Sequence, residues 1–535
     1  MANITPNSTI RLLHNVPLDK TYDHTIYFTN ANDQANYFAS LSKYSYSAYS
    51  YVRQDRGIKV QANAGENLYD CNYLMFKNTS FENKWFYAFV THVEYINNLT
   101  WLVDFELDVM QTWFFDYELE NCFVEREHSA TDEIGENLVP EDIETGDYIS
   151  DGIEYCKATD STGDSYLRNL SLVFGCTFDN NYADFHGGYY AGLYSGLYYK
   201  VFNIPTDGTQ VAQFVTDVNA FISGATGAGK PQGIITAFVC PTVLVTPANA
   251  SSVTQQFLKQ NTFTNIDGYI PKNKKLYTYP FNFMYVTNFQ GQSAVYRYEY
   301  FADPLNTLFQ LNGNFTPDPT VILSPINYKG AGASPNFDEK LTLMGYPQLP
   351  YATDVYEAWL AQSSGATLTN LLSDIGTKVI AGAVAGSVIP GAGTAVGATA
   401  GTVFGVASSV AKYYSELYQV SIKPPHANSG AGSQALASVR LLDFGFMRKH
   451  VRAEFAKIAD DFFSMYGYAT KRCKVPNRAV RPHWTFTKTI GCCAKGSVPA
   501  DDMRAICQIY DKGITFWRDG SEVGNYNLNN TPITP

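Results

Sequence analysis

Alternation of apolar and polar side chains is cleanest over Trp101–Trp113, which reads WLVDFELDVMQTW. Trp101, Val103, Phe105, Leu107 and Val109 fall on one face, and Asp104, Glu106 and Asp108 on the other. A period of two sends successive side chains to opposite sides of a pleated strand, so this run predicts a half-buried strand with an acidic outer face. The polar, turn-rich run that follows, EREHSATDEIGENLVPEDIETGDY, predicts a loop. Helical spacing appears at Val211–Ile222, with Val211, Phe214, Val215, Val218, Phe221 and Ile222 in phase. It appears again at Val451–Tyr466, with Phe455, Ile458, Ala459, Phe462, Phe463 and Tyr466 in phase. Gly233–Val245 predicts a buried strand, Tyr189–Phe202 ends in one, and Pro and Asn turns punctuate further strands over 275–325. Tyr351–Ile375 predicts a helix. Near the end, HWTFTK predicts a strand, followed by a helix capped by Asp501 or Asp502 and stopped near Gly513.

One stretch breaks the soluble pattern. The 33 residues Val379–Ala411 carry no charged side chain. Their strong apolar positions are Val379, Ile380, Val384, Val388, Ile389, Val396, Val403, Phe404, Val406 and Val410. Pro390-Gly391 divides the tract into arms of 11 and 21 residues. The first arm is too short to cross a hydrocarbon core of about 30 Å as a helix; the second is long enough. Gly393, Gly397, Gly401 and Gly405 recur every fourth residue, which on a helix makes one smooth face for close packing. Ten strong apolar side chains contribute roughly −3 to −6 kcal/mol on an insertion scale, eroded by Gly, Ser, Thr and Pro. A single copy is therefore a weak anchor, and several copies displayed together a stronger one. The tract reads either as a conditionally inserting membrane segment or as a buried Gly/Ala-rich core element. Val, Thr and Gly also suit an extended hairpin.

Composition narrows the class. The chain has 535 residues, 45% hydrophobic and 16% charged, with 39 Tyr and 34 Phe. That length exceeds one ordinary core, and the aromatic content favours strands, so a mainly β, multidomain fold with minor α is expected (α+β). A net charge of −12 argues against a nucleic-acid-binding surface. The charge is polarised. Residues 1–155 hold 9 basic and 25 acidic side chains, and residues 440–518 hold 15 basic and 7 acidic. Opposite charges at the two ends predict that the ends pack on each other, within or between subunits. Nine Cys with no CxxC and no signal-peptide pattern in MANITPNSTI predict free thiols in a cytoplasm-made protein.

Motifs for catalysis are poor. Gly224–Lys230 imitates a phosphate-binding loop, but Pro231 stands where Ser or Thr must ligate Mg²⁺, so a flexible turn is the better reading. His128 with Asp132 and Glu133 is a possible cation or acid–base cluster, of a kind polar loops also contain by chance. The Tyr-rich stretch Tyr189–Tyr199 reads as packing before it reads as a sugar or partner site. No enzyme activity, catalytic residue, metal or cofactor is expected.

Residues Asn97–Tyr148, with LTWLVDFELDVMQTW and FVEREHSATDEIGENLVPED, resemble the N-terminal part of tail knob proteins, the distal tail proteins of small short-tailed picovirus-type bacteriophages of Gram-positive hosts. The opening TIRLLHNVPLDKTYDHTIYF resembles the start of the same family, and the late apolar tract matches its hydrophobic loops. The resemblance implies a hexameric ring or tube at the tail tip, built of β-sandwich or barrel-like tube domains with an inserted knob and a long apolar loop. Its implied parts are an N-terminal tube domain over 1–160, a knob over 161–350, a helix plus membrane-active loop over 351–422, and a part over 434–535 completing the tube. The implied function is a conduit for genome ejection, whose loop plugs the tube and then forms a channel in the host membrane. The implied partners are other copies of the chain, an upper tail or collar protein, double-stranded DNA passing without sequence recognition, and the host cytoplasmic membrane. On this view Asp104, Glu106 and Asp108 line the lumen and repel DNA phosphates. The alternatives are a virion receptor-binding or structural module without membrane activity and, behind it, a cell-wall hydrolase.

Overall fold

The structure is a computed structural model. It describes residues 7–532 except 50–56, 62, 64, 80–82, 98, 157–166, 168, 178–184, 187–188, 191–192, 195, 205–209, 211–212, 215, 219, 222–233, 246–251, 315–318, 347 and 350–442. The expected helix at 351–375, the apolar tract Val379–Ala411 and the Gly224–Lys230 turn therefore lie outside the described residues.

The chain forms two compact units, neither continuous in sequence. The first gathers residues 1–146, 265–276 and 452–535; the second gathers 147–264 and 277–451. The first unit contains a six-stranded antiparallel sheet in the order Ser42–Tyr49, Ser8–His14, Cys71–Asn78, Trp85–Asn97, Thr100–Leu107, Ile58–Gln61. Both faces of its centre are buried. Leu74, Phe76, Trp101, Val103 and Phe105 pack on one side, and Tyr73, Met75, Tyr87 and Phe89 pack with Phe38 on the other. Phe38 comes from the helix Ala31–Ser40, which Asn30 caps by accepting from the Asp33 amide. The side-chain hydroxyls and amides that cap such an end satisfy donors the helix cannot.

The two ends of the chain meet in a second sheet of this unit, ordered His24–Ile26, Ile514–Trp517, Trp484–Ile490, Cys122–Glu127, Tyr468–Lys474. Lys512 pairs with Asp23 at 2.9 Å, Lys474 with Glu127 at 2.6 Å and Lys488 with Glu125 at 2.8 Å. The charge polarity along the sequence thus becomes complementarity between ends within one chain. The strand Cys122–Glu127 takes in Glu125–Glu127, three residues the polar pattern assigned to loop, because the basic strands beside it offer these carboxylates partners.

Two helices flank that sheet. Ala453–Tyr466 buries Ala456, Ala459, Asp460 and Phe463, while Ile458, expected on its apolar side, is 62% exposed. It stops at Gly467 with φ +66°, where a side chain would collide with the Glu127 carbonyl, so only glycine fits. Ala500–Lys512 is preceded by Pro499 with no side-chain cap; Asp501 and Asp502 sit inside its first turn rather than capping it, and Gly513 ends it.

The second unit is also mainly β. Its sheets are Tyr148–Ser150, Gly445–Val451, Asn282–Thr287, Ser293–Tyr296; then Phe185–His186, Tyr198–Asn203, Leu170–Cys176, Ile234–Pro241, Gln348–Leu349; then Ser252–Gln260, Asn306–Asn314, Val321–Ile326, Leu341–Leu343. One aromatic core joins them, with Phe257 stacked on Phe309 at 5.6 Å and Phe446 edge-on to Phe309 at 5.2 Å. The helical spacing at Val211–Ile222 is realised at 213–214, 216–218 and 220–221, with Phe214, Val218 and Phe221 buried.

Candidate functional site

The acidic face predicted for 101–113 is only partly built. The strand spans Thr100–Leu107, with Trp101, Val103, Phe105 and Leu107 buried as the alternation requires. Asp104 is half-buried opposite His92 and so close to Gly57 that a Cβ there would collide with its carboxylate. Glu106 is exposed and pairs with Lys20 at 2.6 Å. An exposed pair of this kind holds little energy, but it halves the local negative charge.

Asp108 departs from the predicted outer face. It lies beyond the strand end and is 1% exposed, as the N-cap of the short helix Val109–Thr112. Its Oδ1 accepts from the Gln111 amide at 3.0 Å and its Oδ2 from the Tyr73 hydroxyl at 2.8 Å. Burial pushes its carboxyl up to about 6. Capping ends the alternation here, so Val109 is buried as a helical residue and Asp108 does not join the outer acidic face that the alternation predicts.

The His128, Asp132 and Glu133 cluster is dispersed into structural roles. His128 is buried; its Nδ1 accepts from the Phe486 amide at 2.7 Å, and its Nε2 lies 3.1 Å from the Ser464 carbonyl. Those partners fit a neutral ring protonated on Nε2, and burial, helped by Arg481, lowers its pKa to about 3. Asp132 accepts from the Tyr468 hydroxyl at 2.6 Å and from the Lys274 amide at 2.8 Å, and Glu133 pairs with the Lys274 ammonium. Among the described residues no group of three or more metal-ligating side chains converges.

Sequence reasoning missed the polar hub that pins residues 265–276 into the first unit. Asp460 accepts from the Tyr269 hydroxyl, the Lys272 and Asn273 amides and the Asn273 side chain, all within 3.0 Å. Glu141, its side chain 1% exposed, takes Lys275 at 2.7 Å, the Ala469 amide at 2.7 Å and the Arg126 guanidinium. A carboxylate on the buried face of Ala453–Tyr466 was the available signal, since such a group needs donors from elsewhere.

No described helix is long and apolar enough to cross a membrane. What the described residues build is a β scaffold whose polar groups are spent on holding chain segments together. Residues 6–118 match the N-terminal region of caudoviral major tail proteins, which puts this scaffold among structural tail components. Residues 247–531, more than half of the chain, match the C-terminal domain of the tail knob protein gp9 of Bacillus phage phi29, and the chain belongs to that family. It is similar to tail knob protein gp9 of Bacillus phage PZA, at 25% identity over 97% of this chain and 98% of the relative. The phi29 and B103 proteins of the same name show 24% and 25% identity over the same shares. The solved tail knob protein gp12 of bacteriophage C1 shares the fold, with a TM-score of 0.62 at 14% identity over 98% of this chain and 99% of that one. The protein is a structural component of the virion, at the phage tail.

Proposed function

We propose that copies of this chain form a tubular conduit at the tail tip, six copies by family resemblance. Its apolar loop plugs the tube, then enters the host cytoplasmic membrane and opens a channel for the DNA. The observation that carries this reading is the charge-free run Val379–Ala411, set in a chain that aligns with tail knob proteins over 97% of its length. Six copies acting together multiply a single-copy insertion energy of roughly −3 to −6 kcal/mol to roughly −18 to −36 kcal/mol, which changes a marginal segment into a firm one. Inside the tube the exposed Glu106 and half-buried Asp104 present weak negative charge, suited to a cargo that must slide rather than be gripped. An upper tail or collar protein is the neighbour such a tube requires.

The test is dye release from liposomes. Purified oligomer, triggered at low pH, is expected to empty the vesicles, and the same protein lacking residues 379–411 to leave them sealed. Equal leakage from both ends the membrane reading while leaving the tail assignment intact.

A further inference from the structure

In the first unit the Cys492 thiol has a thiol from a separate element on either side, Cys507 and Cys122. Cys122 opens the strand Cys122–Glu127, Cys492 follows the strand Trp484–Ile490, and Cys507 lies in the helix Ala500–Lys512. Hydrogen bonds and one strand pairing set their positions. Asp511 Oδ1 accepts from the Cys492 amide at 3.0 Å and from the Thr489 hydroxyl at 2.7 Å. Cys507 precedes Asp511 by four residues, so both lie on the helix face turned toward Cys492. On the other side, the Glu120 amide donates to the Cys493 carbonyl at 2.9 Å, and Ala494 pairs with Leu119, which seats Cys492 beside the approach to Cys122. The Cys492 thiol is close enough to both the Cys507 and the Cys122 thiols for each to perturb its ionisation. All are free. Cys122 is buried, and Cys492 and Cys507 are partly exposed.

We propose that Cys492 and Cys507 are an oxidative modification site, closing to a disulfide that staples the last helix to the end of the strand Trp484–Ile490. A virion protein works outside the cell, where oxidants persist and no thiol pool restores reduced cysteine. With hydrogen peroxide as oxidant the step balances. One thiolate attacks a peroxide oxygen, water leaves, and a sulfenic acid forms; the second thiol displaces its hydroxyl as a second water, and the S–S bond closes. Each sulfur gives up one electron, and the two electrons reduce the peroxide. The bond encloses the 492–507 segment and restricts the unfolded chain, so the oxidised protein is the more heat-stable form. Burial raises the pKa of both thiols, so the thiolate is scarce at neutral pH and the reaction quickens in mild alkali. Cys473 is exposed and lies elsewhere on the edge strand Tyr468–Lys474, which makes it a control.

The experiment treats the purified full chain with hydrogen peroxide, unfolds it, alkylates the remaining thiols and maps the peptides by mass spectrometry. The expected product is a Cys492–Cys507 linked peptide pair, two hydrogens lighter than its reduced parts and reopened by dithiothreitol. The unfolding midpoint is expected to rise by a few degrees on oxidation in the natural chain and in Cys473→Ser, and to stay put in Cys492→Ser and Cys507→Ser. Full alkylation of Cys492 and Cys507 after peroxide, or a Cys122–Cys492 link in their place, overturns the proposal. The peptide map uses the natural chain, so it decides the matter even if a serine variant folds poorly.

Discussion

Two buried titratable residues of the first unit respond to pH in opposite directions. The Asp108 carboxyl binds its proton more tightly folded, at about 6, than its ordinary value of 3.8. A raised folded value means that its stabilisation is complete at low pH and is lost as pH rises from about 4 to 6, roughly 3 kcal/mol in all. His128 is the reverse. Its folded value of about 3 lies below the ordinary 6.5, so its stabilisation is complete above pH 6.5 and is lost as pH falls, roughly 3 kcal/mol by pH 4. The two slopes oppose between pH 4 and 6. In Asp108→Asn, whose amide oxygen still accepts from Gln111 and whose NH₂ donates to the Tyr73 hydroxyl, stability is expected to climb with pH over that range. In His128→Gln it is expected to fall. Denaturant titrations at half-unit pH steps read both slopes, and parallel curves for the two variants contradict the assignments. Neither behaviour is legible in the alternation around Asp108 or the EREH motif, because burial and partners set the shift.

At the scale of elements, segments held by ladders were easier to read than segments held by side chains. The strand over 101–107 emerges directly from period two, and Trp484–Ile490 takes in most of the strand expected at HWTFTK, with both faces largely buried. The segment 265–276 has no such pattern, since apart from the Ile266–Tyr269 bridge its anchors are single carboxylates reached from far along the chain. Asp460→Ala removes the acceptor for four donors of that segment, each costing about 1–3 kcal/mol if left buried and unpaired. Hydrogen exchange over 265–276 is expected to speed by a factor of ten or more, while the strand Ser252–Gln260, held by its ladder to Asn306–Asn314, keeps its protection. Uniform loss of protection across both would show that the hub supports the whole chain rather than this segment. Helix ends follow the same division: Gly467 and Gly513 mark the stops visibly, whereas the start at Ala500 has no side-chain cap from the acidic pair beside it.

For the whole molecule, the charge polarity of the two chain ends matters most. It forecast their union, and the structure realises it in a sheet where His24–Ile26 runs parallel to Ile514–Trp517. Negative-stain images of the purified chain are expected to show hollow rings, six-fold by family resemblance. A uniformly monomeric field would count against the tube, though not against membership of the tail knob family. Read alone, the chain yields the mainly β class, the complementary ends and the charge-free tract, which are properties of pattern and composition summed over many residues, and the tail knob resemblance, which rests on particular stretches such as 97–148. Tertiary packing alone makes the first unit from three separate stretches of chain, buries Asp108 while pairing Glu106, and sets Cys492 beside the helix that carries Cys507. The reason is physical. Periodicity records which way each side chain faces along its own backbone, whereas burial, charge pairing and thiol contact depend on which distant segments share a neighbourhood, and local pattern carries no record of that.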